Sequence, residues 1–178
     1  MKILLHMCCA VCTIYPLRVL AGEGCRVFGF FYNPNIHPYQ EYRRRLETVQ
    51  QFAGPLGLEV IYRDEYDVAG FLREIAFRES KRCHICYHMR LDAAARLAKK
   101  SRMDGFTSSL LSSKKQDHEL ICELGEEVGR SRGIPFVYRD FRQGWQEGAR
   151  EASKLNLYRQ QYCGCIFSEQ ERYLQKTR

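Results

Sequence analysis

Hydrophobic and polar positions divide the chain into two alternating kinds of segment. Short runs of apolar, β-branched and aromatic residues, bounded by glycine, proline or polar residues, are typical of buried strands. Five such runs are predicted as strands: residues 2–7, 26–33, 58–63, 105–111 and 134–141. The other segments place apolar residues three or four positions apart, as amphipathic helices do. Seven are predicted as helices: residues 13–24, 38–57, 68–78, 83–101, 114–133, 145–156 and 168–178.

This alternation predicts both the fold class and the place of the binding site. It favours an α/β fold with a Rossmann-like parallel sheet of about five strands, flanked by helices and joined through right-handed crossovers. A chain of 178 residues with 45% apolar content is expected to form a single domain over residues 1–178. Ligands in such folds bind outside the carboxyl ends of the strands, so a metal or ligand site is predicted there.

The same pattern argues against a membrane or secreted protein. No apolar run approaches the roughly 20 residues that span a bilayer. Residues 3–7 are too short for the apolar region of a signal peptide, and no small-residue cleavage site follows them. We therefore expect a cytoplasmic protein without membrane contact.

Cysteine spacing is the pattern that points to chemistry. Seven of the nine cysteines lie in three close groups: Cys8, Cys9 and Cys12; Cys83 and Cys86; Cys163 and Cys165. The first group follows the first predicted strand, where a nucleotide-binding protein of this architecture carries a glycine-rich phosphate loop. Clustered cysteines in a reducing compartment are typical metal ligands. Cys25 and Cys122 stand alone and are expected to lie in the core.

The seven grouped thiols leave the kind of metal open. Thiolates favour zinc or iron–sulfur clusters, and a [4Fe–4S] cluster takes four cysteines. Four ligands for a cluster leave three thiols, which could hold a second metal with an open position for substrate. Alternatively, three cysteines bind the cluster and the other thiols carry out redox work. Counting does not assign individual sulfurs.

Net charge changes the expected partner. The chain has 28 basic and 21 acidic residues, giving a formal charge of +7. Such a surplus favours a polyanion such as RNA, through phosphate contacts and counterion release. The arginines at 43–45 are expected to form a solvated helix face or to contact phosphate. His84 and His88 flank Cys86 on a predicted helix and are expected to face outward or to contact phosphate.

Five motifs carry a resemblance to a known family: HMCCAVC at 6–12, YNPNIHPYQEY at 32–42, RCHICYHMRL at 82–91, DFRQGW at 140–145 and LYRQQYCGCIFS at 157–168. With these motifs in this order from Leu5 to Ser168, the chain resembles the QueH family of epoxyqueuosine reductases. The resemblance implies a fold similar to the adenine-nucleotide α-hydrolase group. The chain lacks the SGGxDS-type loop of the ATP-using relatives, so ATP hydrolysis is not expected.

The resemblance further implies an oxidoreductase that completes queuosine biosynthesis in tRNA. Such an enzyme reduces the epoxide of epoxyqueuosine to give queuosine, without cobalamin and with iron–sulfur chemistry. The expected cofactors are a [4Fe–4S] cluster and an additional iron ion. The candidate ligands from which the cluster draws are Cys8, Cys9, Cys83, Cys86, Cys163 and Cys165. The candidate metal ligands are these six and Cys12, and their division between cluster and iron ion is left open. The expected partners are tRNA carrying epoxyqueuosine and a small electron-transfer donor.

Other polar residues near predicted strand ends are candidates for catalysis and substrate binding. Asp140 is a candidate proton donor or metal ligand, and the alternative is a salt bridge to a neighbouring arginine. Tyr158 and Arg159 are candidate catalytic residues that position the modified base by stacking and hydrogen bonding. The residues expected to bind substrate are Tyr32, Asn33, His37 and Arg142. His6 is expected to be a buried, hydrogen-bonded residue rather than a metal ligand.

Three other functions compete with this interpretation. A tRNA-binding protein with structural zinc and no redox activity would need four-sulfur sites, to which seven grouped thiols correspond poorly. A tRNA-thiolating iron–sulfur enzyme should carry the ATP-binding loop that the sequence lacks. A thiol–disulfide redox protein needs only one C-x-x-C pair.

Overall fold

A parallel sheet lies at the centre of the structure, a computed structural model that describes residues 1–174. Its strands are β1 (Lys2–His6), β2 (Arg26–Phe31), β3 (Val60–Tyr62) and β4 (Gly105–Ser108). They are ordered β3-β2-β1-β4 and all pair in parallel. Leu5 lies opposite both Gly29 and Thr107, so β1, β2 and β4 end at one edge of the sheet. The predicted α/β fold with a parallel sheet is confirmed.

Seven α-helices accompany the sheet within the described range. They are α1 (Ala10–Gly22), α2 (Tyr39–Ala53), α3 (Val68–Ile75), α4 (Arg82–Lys100), α5 (His118–Arg132), α6 (Trp145–Lys154) and α7 (Ile166–Tyr173). Single 3-10 turns occur at Glu79–Lys81, Ser109–Ser112 and Arg142–Gly144. None of the described helices combines the length and the hydrophobicity that a bilayer-spanning segment needs.

The segment 134–141 does not form the fifth strand that its apolar residues predict. It makes a single isolated parallel bridge, between Phe136 and Phe106. Val137 donates its backbone N–H to the carbonyl of Phe106 at 2.8 Å, and the segment then turns away from β4. Asp140 therefore does not stand at the end of a sheet strand.

Side-chain caps explain where several elements begin and end. The fourth predicted strand stops early, at Ser108, because the Ser108 hydroxyl accepts a hydrogen bond from Leu110 N–H at 3.1 Å and starts a 3-10 turn. Helix α5 begins four residues later than the apolar pattern indicates, since Asp117 caps its first turn. The same helix ends at Gly133 as predicted, where a φ of 64° favours glycine.

Helix α7 is shorter than the last predicted helix and differs from the others in burial. It begins at Ile166 rather than at residue 168, and residues 175–178 of the prediction lie outside the described residues. Cys165 caps its first turn, accepting a hydrogen bond from Ser168 N–H at 3.4 Å. No residue of α7 is buried, so this helix adds little to the core.

The core divides into a large cluster and a small one. The large cluster surrounds the completely buried residues of β1 and includes the first cysteine group. Cys25 and Cys122 are half-buried at its edge rather than inside it. The small cluster joins Phe71 and Ile75 of α3 to Cys86 and Cys165. The second and third cysteine groups therefore share one apolar wall.

Candidate metal centre

Three sulfur atoms converge where β1 ends and α1 begins. The Sγ atoms of Cys8, Cys9 and Cys12 lie within 4.8 Å of one another, and all three residues are buried. Cys9 is the N-cap of α1, and its sulfur accepts a hydrogen bond from Cys12 N–H at 3.3 Å. A helix N-terminus favours negative charge, so this turn suits thiolates as it suits phosphate in nucleotide-binding proteins.

The pKa of each of these three thiols depends on its hydrogen bonds to the other two. Hydrogen bonds from the thiols of Cys12 and Cys9 lower the pKa of Cys8, and Ser109 adds a hydroxyl donor at 3.2 Å from its sulfur. Burial raises the pKa of Cys9, and the bond to Cys8 raises that of Cys12. One thiolate therefore forms readily, whereas a second and a third are costly without a cation. A metal ion that replaces the protons supplies that cation.

A cavity of about 110 Å³ brings the second and third cysteine groups together. Its walls include all four cysteines of these groups: Cys83, Cys86, Cys163 and Cys165. The first two lie on one face of α4, and the other two flank Gly164 in the loop before α7. We call this cavity the four-thiol cavity.

A second cavity of about 140 Å³ shares part of its wall with the first. Cys8, Cys12 and Cys163 line it, so this cavity reaches the first cysteine group. Lys115, Gln116 and Cys163 belong to both cavities. The structure thus brings the three cysteine groups around two adjoining cavities. Cys9 lies beside the second, bound by Gln160 Nε2 at 3.1 Å from its sulfur.

Buried polar atoms without partners surround the four-thiol cavity. Asn35, only 1% exposed, has no hydrogen-bond partner within the described residues for either its Nδ2 or its Oδ1 atom. Arg82 Nε and Gln116 Oε1 are also buried and unpaired there, and all three residues line this cavity. Buried polar groups are nearly always satisfied in proteins. The unpaired donors Asn35 Nδ2 and Arg82 Nε therefore fit a bound group that offers acceptors, whereas Asn35 Oδ1 and Gln116 Oε1 need a donor from another source.

Two buried arginines face the thiols. Arg90 of α4 donates from Nη2 to the sulfur of Cys86 at 3.1 Å and from Nε to its carbonyl at 3.0 Å. Arg45 of α2 is likewise 1% exposed. The expectation of a solvated face at 43–45 is therefore wrong for Arg45, which lies on the apolar side of α2 beside Tyr42 and Leu46. Buried cations stabilise thiolates and anionic thiolate clusters.

Arg45 fastens the third cysteine group to α2. It donates to the carbonyls of Tyr162 and Cys163 at 2.9 and 2.8 Å and forms a 2.7 Å ion pair with Glu41. Tyr158 donates its hydroxyl to the other oxygen of Glu41 at 2.5 Å. Tyr158 is thus tied into this network, which positions the cysteine loop. Its catalytic role stays a prediction.

Replacing Gly164 with alanine is expected to disturb this loop. Gly164 has a φ of 147°, and an added Cβ would lie 3.1 Å from Ile36 and 3.3 Å from Asn35. We expect unfolding free energy to fall by about 1–3 kcal/mol and iron uptake to fall with it, measured by urea titration and by iron content after reconstitution. Gly57→Ala is the control, because that glycine has a positive φ but no atom near its Cβ position. Equal iron uptake by both variants would contradict the prediction.

Residues at the end of β2 make hydrogen bonds within the fold. Tyr32 accepts a hydrogen bond at its carbonyl from His6, which is fully buried and also bonds Ser108. The prediction that His6 is buried and hydrogen-bonded is confirmed. Asn33 donates to the carbonyl of Met7 at 2.9 Å, which is a structural role. Substrate binding by Tyr32 and Asn33 stays a prediction.

His37 is the unexplained member of this set. It is 2% exposed, and neither ring nitrogen has a hydrogen-bond partner among the described residues. Its ring lies against Phe71, which is on the wall of the four-thiol cavity, at a centroid distance of 5.2 Å. Its backbone N–H donates to the carbonyl of Gly164 at 2.8 Å. His37 is therefore close to the cysteine loop, and substrate binding by His37 stays a prediction.

We expect His37 to make the fold less stable as the pH falls. Burial lowers the pKa of His37 from 6.5 to about 4, so between these values the unfolded chain binds a proton that the folded chain does not. Stability is retained above pH 6.5 and is lost at up to about 1.4 kcal/mol per pH unit down to pH 4. Urea unfolding across this range, for the wild type and for His37→Phe, measures the effect. The variant should show a smaller slope, and an unchanged slope would refute the assignment.

Asp140 and Arg142 form a pair outside the two cysteine cavities. Arg142 donates to both carboxylate oxygens of Asp140, at 2.8 and 2.6 Å. These bonds lower the pKa of Asp140 to about 2, so the carboxyl holds no proton at neutral pH. Neither residue lines a cysteine cavity. The geometry thus matches the salt-bridge alternative for Asp140, and roles in proton donation or substrate binding stay predictions. Arg159 is exposed, and its role is equally untested.

Comparison with known proteins places this arrangement in a family. The sequence model described as "Epoxyqueuosine reductase QueH" matches residues 3–171. A relative of that name from Dehalococcoides mccartyi is 37% identical over 97% of this chain and 94% of its own. The chain belongs to the QueH family of epoxyqueuosine reductases. Its relatives are oxidoreductases by name, and the resemblance read from the motifs is confirmed.

Two further QueH relatives and one solved structure extend the comparison. The Thermotoga maritima relative is 34% identical over 96% of this chain and 91% of its own. The Helicobacter pylori relative is 37% identical over 93% of this chain, which spans only 48% of that longer protein. A solved Methanocaldococcus jannaschii structure, described as a predicted subunit of tRNA methyltransferase, matches with a TM-score of 0.57 at 13% identity. That match covers 86% of this chain and 74% of the other, and it supports the fold alone.

Several residues of the site carry too weak a sequence signal to be predicted. Arg45 is four residues after Glu41, and Arg90 is four after Cys86. Such i,i+4 spacing brings side chains together on a helix, and it was the available signal for both. Asn35 lies inside the YNPN motif, but nothing in that motif indicates which asparagine faces a cavity.

Proposed function

We propose that this QueH protein reduces epoxyqueuosine in tRNA to queuosine, with a [4Fe–4S] cluster and an adjacent iron ion. The observation that carries the proposal is the meeting of seven thiols at two adjoining cavities beside the carboxyl ends of the strands. The reaction removes the epoxide oxygen as water and restores a carbon–carbon double bond, consuming two electrons and two protons. Such chemistry needs an electron source, a place for the oxygen and a proton donor.

The donor set of the four-thiol cavity suits an iron–sulfur cluster. Four thiols match the ligand number of a [4Fe–4S] cluster, the unpaired amide of Asn35 can bond sulfide, and Arg90 offers compensating charge. Cys8, Cys9 and Cys12 then form a separate three-sulfur site for an iron ion. When bound, the cluster supplies single electrons and the iron ion acts as a Lewis acid. A cluster that draws ligands from the first group is the alternative that the ligand count leaves.

Protein side chains around the second cavity are placed to handle the substrate. Trp145 and Tyr162 offer aromatic surfaces, and Gln160 and Gln161 offer amide groups for the modified base. Lys115 lies on the wall of both cavities. We assign to its ammonium group the proton that the departing oxygen takes up. The buried position of the three-thiol site keeps water away from the reacting carbon atoms.

The proposed partners follow from the substrate. A tRNA carrying epoxyqueuosine agrees with the charge of +7, because phosphate contacts favour basic proteins. A small redox protein or a reduced flavin would supply the electrons. We place the protein in the cytoplasm, together with the tRNA and the electron donor. These remain part of the proposal.

The test is anaerobic purification and reconstitution, with iron, sulfide and zinc measured on the sample used for assay. The reduced protein is then incubated with tRNA containing epoxyqueuosine, and its nucleosides are separated by mass. We expect a brown protein that converts epoxyqueuosine to queuosine, with more iron than sulfide because of the additional ion. Equal iron and sulfide with full activity would remove the second iron. A colourless zinc protein without activity after reconstitution would overturn the proposal and favour a zinc-dependent tRNA-binding protein.

A further inference from the structure

A strained, exposed aromatic residue lies between α3 and α4. The side chain of Phe77 is 99% exposed, the highest value among the exposed large hydrophobic side chains of the described residues. Its φ is 59°, in the left-handed region that side chains other than glycine and asparagine rarely adopt. Both properties oppose folding, because burial of the ring would stabilise the protein and glycine would relieve the backbone. Such costs persist at functional sites.

The backbone around Phe77 is nevertheless fixed. Phe77 N–H donates to the carboxylate of Glu79 at 3.1 Å, and Arg78 N–H donates to the carbonyl of Ile75 at 2.8 Å. Ile75 itself is buried in the small cluster with Cys86 and Cys165. The ring is therefore held out in solvent by a segment that is anchored to the wall of the four-thiol cavity.

Basic side chains adjoin the ring. An open groove of about 470 Å³ starts at Arg78, the next residue, and continues past Lys81, His84 and His88. Its acidic members are Glu74, which pairs with Arg78 at 3.8 Å, and Glu127. Arg82 follows, with Cys83 beside it, on the rim of the four-thiol cavity. The groove and the four-thiol cavity share no lining residue, but Lys81 of the groove directly precedes Arg82 of the cavity in the chain.

We propose that Phe77 stacks on an unpaired base of the tRNA loop while Lys81 contacts an adjacent phosphate. The inference rests on the proposed function, which makes tRNA the substrate. Proteins recognise RNA loops by stacking splayed bases on aromatic rings and by contacting phosphates with cations. A stable protein–protein interface buries on the order of 1,000 Å² around a buried core, and a single ring followed by Arg78 and Glu79 offers little such surface. A lone ring beside cations fits a nucleobase better.

Fluorescence anisotropy with a labelled tRNA anticodon stem–loop and the full-length protein tests this. Phe77→Ala is expected to raise the dissociation constant about tenfold, as the loss of one stacked base does, without changing the salt dependence. Phe77→Trp should bind like the wild type. Lys81→Ala should reduce the slope of log K against log salt by about one phosphate contact. Leu155→Ala, at a position 52% exposed on another helix end, is the control and should change nothing.

Phe77→Gly separates a binding role from a structural one. Glycine accepts the φ of 59° without strain, so this variant is expected to unfold at a higher temperature than the wild type while binding the stem–loop as weakly as Phe77→Ala. Unchanged affinity in both variants would overturn the inference, even with full reductase activity. A loss only of electron delivery from a protein donor would overturn it in favour of a donor site. If the wild type neither binds nor reduces tRNA, the proposed function itself fails.

Discussion

Serine at any of the seven grouped cysteines is expected to lower reductase activity more than about 100-fold, because even the partners of metal ligands cost 10–100-fold. The same exchange at Cys25 or Cys122 is expected to leave activity within about twofold of the wild type, as these two residues line neither cysteine cavity and do not belong to the three-sulfur group. All nine variants replace one thiol with one hydroxyl, so the two groups are chemically matched. Turnover of tRNA-bound epoxyqueuosine is the measurement.

Iron and sulfide analysis of the same variants distinguishes the two proposed sites. Serine at Cys83, Cys86 or Cys165 should lower iron and sulfide together, because these residues line only the four-thiol cavity. Serine at Cys12 should lower iron while sulfide is kept. Loss of sulfide in the Cys12 variant would show that the first group contributes ligands to the cluster. Full activity in any of the seven variants would contradict an essential metal role for that sulfur.

Replacing Arg45 with methionine is expected to destabilise the fold by about 3–5 kcal/mol, the usual cost of removing one partner of a buried ion pair. The substitution leaves Glu41 buried with only Tyr158 as donor and removes the donors to the carbonyls of Tyr162 and Cys163. Urea unfolding of the metal-free protein gives the change in free energy. We expect iron uptake to fall as well, since the cysteine loop loses its attachment to α2.

Two variants control for this effect. Arg44→Met removes a charge from the preceding, exposed position, and its cost should stay within about 1 kcal/mol. The double variant Glu41→Gln with Arg45→Met removes both charges and should be less destabilised than Arg45→Met alone. Equal stabilities of the Arg44 and Arg45 variants would show that the buried pair does not hold the loop.

The sequence predicts the sheet because its central strands are nearly continuous runs of apolar residues. Residues 3–5 are completely buried, and a continuous apolar run has few alternatives to a central strand. The pattern does not show whether residues 134–141 form a fifth strand at the edge of the sheet. Their apolar side chains cover the core whether or not the backbone pairs with β4. The start of α5 is fixed by the hydrogen bond from Leu120 N–H to the Asp117 carboxylate, which the spacing of apolar residues does not reveal.

The candidate site was also predicted only in part from the sequence. Strand position predicted the first cysteine group at the carboxyl end of the sheet, and clustering predicted metal binding by all three groups. Their meeting around two adjoining cavities is seen only in the structure. Burial of single charges could not be predicted in the same way. Arg43, Arg44 and Arg45 are identical in sequence, yet only the last turns toward the core and pairs with Glu41. Its surroundings depend on a loop more than 100 residues later in the chain.

Helix α7 connects metal occupancy to the integrity of the fold. It has eight residues, none of them buried, and its first turn is capped by the sulfur of Cys165. A helix this short is marginal on its own in water. Under the proposed cluster ligation, metal binding at Cys165 and the local folding of α7 are thermodynamically linked, and each strengthens the other. We expect amide hydrogen exchange in Ile166–Tyr173 to slow when iron binds. Protein without the proposed iron would then be cleaved by proteases at this segment more readily than protein that holds it.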